Sequence, residues 1–83
     1  MNTENGAKVS GTYVGHHFTG TIESSRYVTT CKDGTKEYTV ILDEPFELFN
    51  RTKTCVLIFA YSDGTPSPYS NIAEFDNKFS EIV

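Results

Sequence analysis

The chain has no tryptophan, no glutamine, one methionine, three leucines and three alanines, so the residues that favour helices are scarce. No window of eleven or more residues keeps an i, i+3, i+4, i+7 apolar stripe, which excludes an amphipathic helix as an organising element. The longest apolar run is the seven residues 55–61, against the roughly twenty that a helix needs to cross a bilayer. No membrane span is expected. Residues 1–8 offer only Ala7 as an apolar residue after Met1, which argues against a secretory signal and for a cytoplasmic protein. Cysteine is sparse too: Cys31 and Cys55 are too far apart for a CxxC redox or zinc motif, and no second pair accompanies them. Free thiols are expected in a reducing compartment, with a disulfide as the alternative. Asn50, Arg51 and Thr52 match a glycosylation sequon, which a cytoplasmic chain does not use.

Basic residues are outnumbered by acidic ones, seven to eleven, giving a formal net charge of −4. Such a field repels phosphate backbones and excludes indiscriminate electrostatic binding to DNA. Eighty-three residues make one domain, read as 1–83 with tails at 1–7 and 77–83. Hydrophobic residues are lean at 37%, but eleven of them are Phe or Tyr, and each ring can bury roughly 150–250 Å². A small core is therefore within reach. With 22% charged residues and no long charge block, the chain does not read as disordered.

What is present is the material of strands: eleven Thr, six Val and five Ile beside the aromatic residues. Short runs alternate or are apolar throughout and stop at Gly, Asp or Pro, an all-β pattern. The first strand is read at residues 8–13, with Val9, Gly11 and Tyr13 on one face. A second runs from about 17 to 30. There Phe18, Gly20 and Ile22 share a face until the bulky residues change parity beyond Ser24 and Ser25, which predicts a bulge or bend. Asp33-Gly34 makes the next turn. The third strand, 36–44, sets Tyr38, Val40 and Leu42 against Thr39, Ile41 and Asp43, and Pro45 is expected to end it. A short stretch at 46–49 and a polar turn at 50–53 lead to a fourth strand at 54–61, apolar on both faces. A strand of that kind must be covered front and back. Asp63-Gly64 and the prolines at 66 and 68 give another turn, and a last strand at about 70–75 is expected to carry Ile72 and Phe75 into the core.

Five short strands with a long bent second one cannot build two large sheets, so a single small, strongly bent barrel is expected, whose closure removes most exposed edges. The stretch Gly15, His16, His17, Phe18, Thr19, Gly20, Thr21, Ile22 resembles the glycine-hydrophobic opening of the first motif of the Sm-like RNA-binding proteins, a branch of the SH3-like small barrels. Tyr61 to Gly64 followed by Ser70, Asn71 and Ile72 is loosely similar to the turn and last strand of their second motif. The resemblance implies a five-stranded SH3-like barrel that associates strand to strand. The chain departs from the family's base-reading loops, with Ser24, Ser25, Arg26 and Tyr27 in one and Asp63-Gly64 in the other. The absence of tryptophan also disfavours the peptide groove of true SH3 domains.

No catalytic constellation is present: Gly-x-Ser-x-Gly, HExxH and phosphate-loop patterns are absent, and no enzyme activity or cofactor is expected. His16 and His17 are adjacent and point to opposite faces of a strand, so they do not grip one metal. Asp43, Glu44 and Glu47 read as a solvated acidic turn, with a paired acid and base or a cation site as the other reading. Arg26, Tyr27, Lys32 and Lys36 near the first long turn, and Arg51 and Lys53 at the far end of the third strand, are the candidate RNA-binding residues. They make one basic rim only if the barrel brings its ends together. An exposed Tyr27 or Tyr38 would supply a stacking surface. Cys55, Leu57, Phe59 and Tyr61 are the candidate oligomer interface, because residues 55–61 combine high β propensity with no charge and no proline. They are covered either by a second copy or by a lid of Phe75, Phe79, Ile82 and Val83. The sequence thus points to a non-enzymatic binding module, homo-oligomeric through an edge strand, with RNA or a protein as partner. The alternative is an acidic protein-interaction or inhibitory protein of viral type with no nucleic-acid role.

Overall fold

The computed structural model of the chain describes residues 2–70 and 72–76, and among these every regular element is a strand. β1 spans Lys8–Tyr13, β2 His16–Tyr27, β3 Lys36–Leu48, β4 Arg51–Ala60 and β5 Ala73–Phe75. They form one antiparallel sheet in the order β4-β3-β2-β1-β5. The first four strands are a meander, and β5 returns to the free side of β1, pairing Gly11 with Phe75 and Tyr13 with Ala73.

Side-chain alternation selects the buried face. Val9, Phe18, Ile22, Tyr38, Val40, Leu42, Val56, Ile58, Ala60, Ala73 and Phe75 form a single core, with Tyr38 fully enclosed and edge-on to Phe75 at 5.3 Å. The sheet must bend sharply to wrap so small a core. The register between β2 and β3 slips between Ile22 and Ser24, where the sequence places its change of parity. Glycine permits the close approach at Gly20, where a Cβ would collide with the Ile41 carbonyl and a Val40 methyl.

Several boundaries differ from the sequence reading, and β2 stops at Tyr27 rather than near residue 30. β3 does not end at Pro45 but continues to Leu48. Its ladder with β4 is interrupted between the Ile41–Cys55 and Phe46–Lys53 pairs, so Pro45 sits where no N–H is needed. β4 accordingly begins at Arg51 rather than 54. β5 is only three residues long, and Ile72, expected in the core, is 54% exposed while Ala73 and Phe75 are buried. Phe75 therefore belongs to the core and not to a lid; Phe79, Ile82 and Val83 lie outside the described residues.

The sheet is not closed. β4 and β5 are its two edges, and no hydrogen-bonded pairing joins them among the described residues. They approach each other across a groove lined from both, and Ala60 bridges Pro66.

Candidate interaction surface at the open edge of the sheet

Backbone alternation shows what β4 offers on its free side. The Tyr61 N–H donates to the Thr65 carbonyl at 2.9 Å, away from β3. Peptide groups at every second residue of an antiparallel strand face the same way, which puts those of Phe59, Leu57 and Cys55 on that side too. Pro66 bridges Ala60 at that end of the strand, and among the described residues β4 has a strand neighbour on its β3 side alone. The donors and acceptors of Leu57 and Cys55 thus line an open edge.

The side chains there are apolar. Leu57 is 47% exposed and Ile41, partner of Cys55 across the β3–β4 ladder, is 40% exposed, while Cys55 and Phe59 are half-buried. The expectation that residues 55–61 are shielded on both faces is therefore met on one face: Val56, Ile58 and Ala60 are buried and the opposite row is not. Of the candidate interface residues, the structure brings Cys55, Leu57 and Phe59 together in the groove of about 380 Å³ whose other walls are Tyr13, Lys53 and Ile72. Tyr61 is turned to the other end of the molecule, where its hydroxyl donates to Asp33 at 3.0 Å. That carboxylate raises the phenol's pKa, since an ionised oxygen could no longer donate.

The basic candidates fall into two groups. Lys36 pairs with Ala60 at one end of the β3–β4 hairpin and Arg51 with Leu48 at the other. At the first end Arg26 is held by Glu37 at 3.1 Å, Lys32 is exposed, and the Lys36 ammonium lies 5.1 Å from the Tyr27 ring centre and 5.5 Å from that of Tyr38. Tyr27 is 64% exposed, whereas Tyr38 is fully buried and unavailable for stacking. At the second end Lys53 lies over the Tyr13 ring at 5.4 Å and Arg51 is exposed.

The remaining polar candidates are engaged individually. Asp43 accepts from Lys8 at 2.7 Å, and this bond, with a further one from Thr19, holds its carboxyl below the usual range. Glu44 and Glu47 are exposed. His16 stacks on Phe46 at 5.2 Å, while the His17 imidazole stands 3.9 Å from the Asp76 carboxylate. Cys31 and Cys55 are separate thiols. No group of three or more His, Cys, Asp or Glu converges among the described residues.

Sequence reasoning missed the two hairpin tips. Val14 and Phe49 adopt φ of 48° and 53° and are 40% and 81% exposed. Two-residue hairpin turns demand positive φ, and the available cue was the Gly15 or Asn50 that follows each; neither Val nor Phe is itself a turn residue. Comparison with family models, curated proteins and solved structures finds no match to the chain.

Proposed function

We propose that the protein is a non-enzymatic binding module of the small SH3-like or Sm-like kind, which self-associates through the exposed edge of β4. The observation that carries the reading is the coincidence, on one strand edge, of outward-facing peptide groups at Cys55 and Leu57 with the exposed side chains of Leu57 and Ile41. Monomeric proteins blunt such edges with charge, proline or a bulge, and residues 54–60 carry none of these on their free side. Strand addition by a second copy satisfies the backbone and covers the apolar row in one step.

A second reading, contact with single-stranded RNA, rests on Tyr27: an exposed ring with a lysine ammonium beside it is a stacking platform for a base. Against it stand the net charge of −4 and the engagement of Arg26 by Glu37. Light scattering on the full chain separates the two. Self-association that Leu57→Asp abolishes, with circular dichroism unchanged, supports the first reading. A strictly monomeric wild type at millimolar concentration, with an RNA affinity that falls as salt rises, would replace it with the second.

A further inference from the structure

Residues 2–7 form a strap ahead of β1, shaped by its own hydrogen bonds. The Asn2 carboxamide oxygen accepts from the Glu4 N–H at 3.0 Å, and the Glu4 carbonyl accepts from the Ala7 N–H at 3.0 Å. Gly6 stands at φ 89° and Asn5 keeps a negative φ, so residues 4–7 make a type II turn with Asn5-Gly6 at its centre. Two sets of contacts fasten the strap. Gly6 donates to the Ile22 carbonyl at 2.7 Å and Ile22 donates back to the Ala7 carbonyl at 2.9 Å, beside the β2 bulge. The buried Thr3 donates its hydroxyl to the Ser62 carbonyl, and the Tyr38 hydroxyl lies 3.2 Å from Thr3 Oγ1. Asn5 and Gly6 themselves are exposed, and apart from chain neighbours no atom lies within 4 Å of where a Gly6 Cβ would stand.

Asparagine followed by glycine is a reactive pair. With no side chain on Gly6, its backbone nitrogen can reach the Asn5 carboxamide carbon. A bond forms from the Gly6 nitrogen to Asn5 Cγ, the Cγ–Nδ2 bond breaks, and the displaced nitrogen leaves as ammonia with the Gly6 amide proton, giving a succinimide. Water then opens the ring at either carbonyl, leaving aspartate or an isoaspartate whose main chain runs through Cγ. No oxidant or reductant takes part. In the fold that nitrogen is engaged, because its N–H is bound to the Ile22 carbonyl and must leave it to react. We infer that Asn5 is a modification site: its amide converts spontaneously to a carboxylate, the fastened strap holds that reaction back, and release of Thr3 from Ser62 speeds it. Conversion in turn keeps the strap open. It sets a carboxylate next to that of Glu4 in a chain of net charge −4, and the isoaspartyl product adds a backbone atom to a turn that the Ala7–Glu4 bond closes. A transient local opening thereby becomes a lasting covalent state. Neither residue belongs to the β4 edge, so the reaction does not require self-association.

Peptide mapping by mass spectrometry on the full chain at neutral pH reads the fraction of Asn5 converted over time, natively and in guanidinium chloride. Native conversion is expected to be at least about tenfold slower than in the denatured chain, since only the opened strap reacts. Thr3→Val removes the hydroxyl and keeps the side-chain shape; it should raise the native rate at least about threefold, the scale of one hydrogen bond, with circular dichroism unchanged. In the isolated isoaspartyl chain, the Gly6 and Ile22 amide hydrogens should exchange at least about tenfold faster than in the unconverted one. Equal native and denatured rates overturn the inference, as does a folded Thr3→Val variant that converts at the wild-type rate or a converted chain with unaltered exchange. The wild-type comparison decides the matter even where the variant does not fold.

Discussion

The two ends of the sheet turn the chain by opposite means. At the end that holds the β2–β3 turn and the start of the 61–72 connection, Asp33-Gly34-Thr35 and Asp63-Gly64-Thr65 use the same local device. Glycine takes the positive φ, 92° and 90°, and the aspartate accepts from the threonine backbone and hydroxyl, at 3.1 and 2.7 Å in the first and 2.9 and 2.6 Å in the second. The turns are then tied together. Tyr61 donates to Asp33, the buried Thr3 hydroxyl donates to the Ser62 carbonyl, and the Tyr38 hydroxyl lies 3.2 Å from Thr3 Oγ1 and 3.3 Å from the Tyr61 carbonyl. At the opposite end the positive φ falls on Val14, Phe49 and Asn50 as well as on Gly15, and the side chains of Val14 and Phe49 stand exposed. One end satisfies its backbone locally and presents polar groups to water. The other retains strain and apolar exposure at the same residues, a pairing found where a surface is kept for contact rather than for stability.

The largest effect should come from cutting the tied end at its centre. Tyr38→Ala removes a fully enclosed ring and the hydroxyl linking the N-terminal segment to residues 61 and 62. It should cost about 3–5 kcal/mol, much of the stability of a domain this size. Tyr38→Phe keeps the ring and should cost about 1 kcal/mol. Urea denaturation of the pair divides packing from tethering. Equal losses in the two would mean that the tie, and not the ring, holds this end.

How far this contrast was legible depended on how local each signal is. The polar turns are written in adjacent residues, since Asp-Gly accepts the required φ, and the alternation of residues 8–13 marks the bounds of β1. The bulge at Ser24 was visible because bulky residues change faces across it. The continuation of β3 through Pro45 was not visible, because it depends on an interruption of pairing with a strand that comes later in the chain. The Phe49-Asn50 turn was hidden by a residue that local propensity would not place there. Ile72 reads as a core residue only if the last strand starts near residue 70, whereas the strand that forms buries Ala73 and Phe75. At the candidate site, the separation of Lys36 from Arg51 followed from strand length. Alternation in sequence shows that residues 55–61 are apolar on both faces; it does not say what, if anything, covers the second.

Acid should act on the tied end before the apolar one. Asp33 and Asp63 have their pKa values lowered from 3.8, chiefly by the hydroxyls of Thr35 and Thr65, and Asp43 is lowered by Lys8. A carboxylate whose folded pKa is depressed contributes stability that is complete above its unfolded value and is lost as pH falls through the folded one. Stability should therefore be level above about pH 5 and fall below 3.8. Asp33→Asn with Asp63→Asn should flatten that fall, measured as urea midpoints between pH 2 and 6, on the order of the range where carboxylates titrate. A slope unchanged by both substitutions would remove the two turns as its source.

The smallest expected effect tests the strained end and has the opposite sign. Val14 is β-branched at φ 48° and is followed by Gly15 at φ 80°, so Val14→Asn creates the Asn-Gly pair that two-residue hairpins prefer. The backbone need not move, because the Val14 N–H keeps its bond to the Ile72 carbonyl. Relief of the left-handed strain should raise stability by roughly 0.5–1 kcal/mol, a few degrees in melting temperature for a domain of this length. Most substitutions in a folded protein destabilise, so the sign itself carries the information. A gain means that valine is retained at this tip for something other than folding. A loss means that its contacts more than offset the strain, and the end opposite the Asp-Gly turns then serves stability no less than they do.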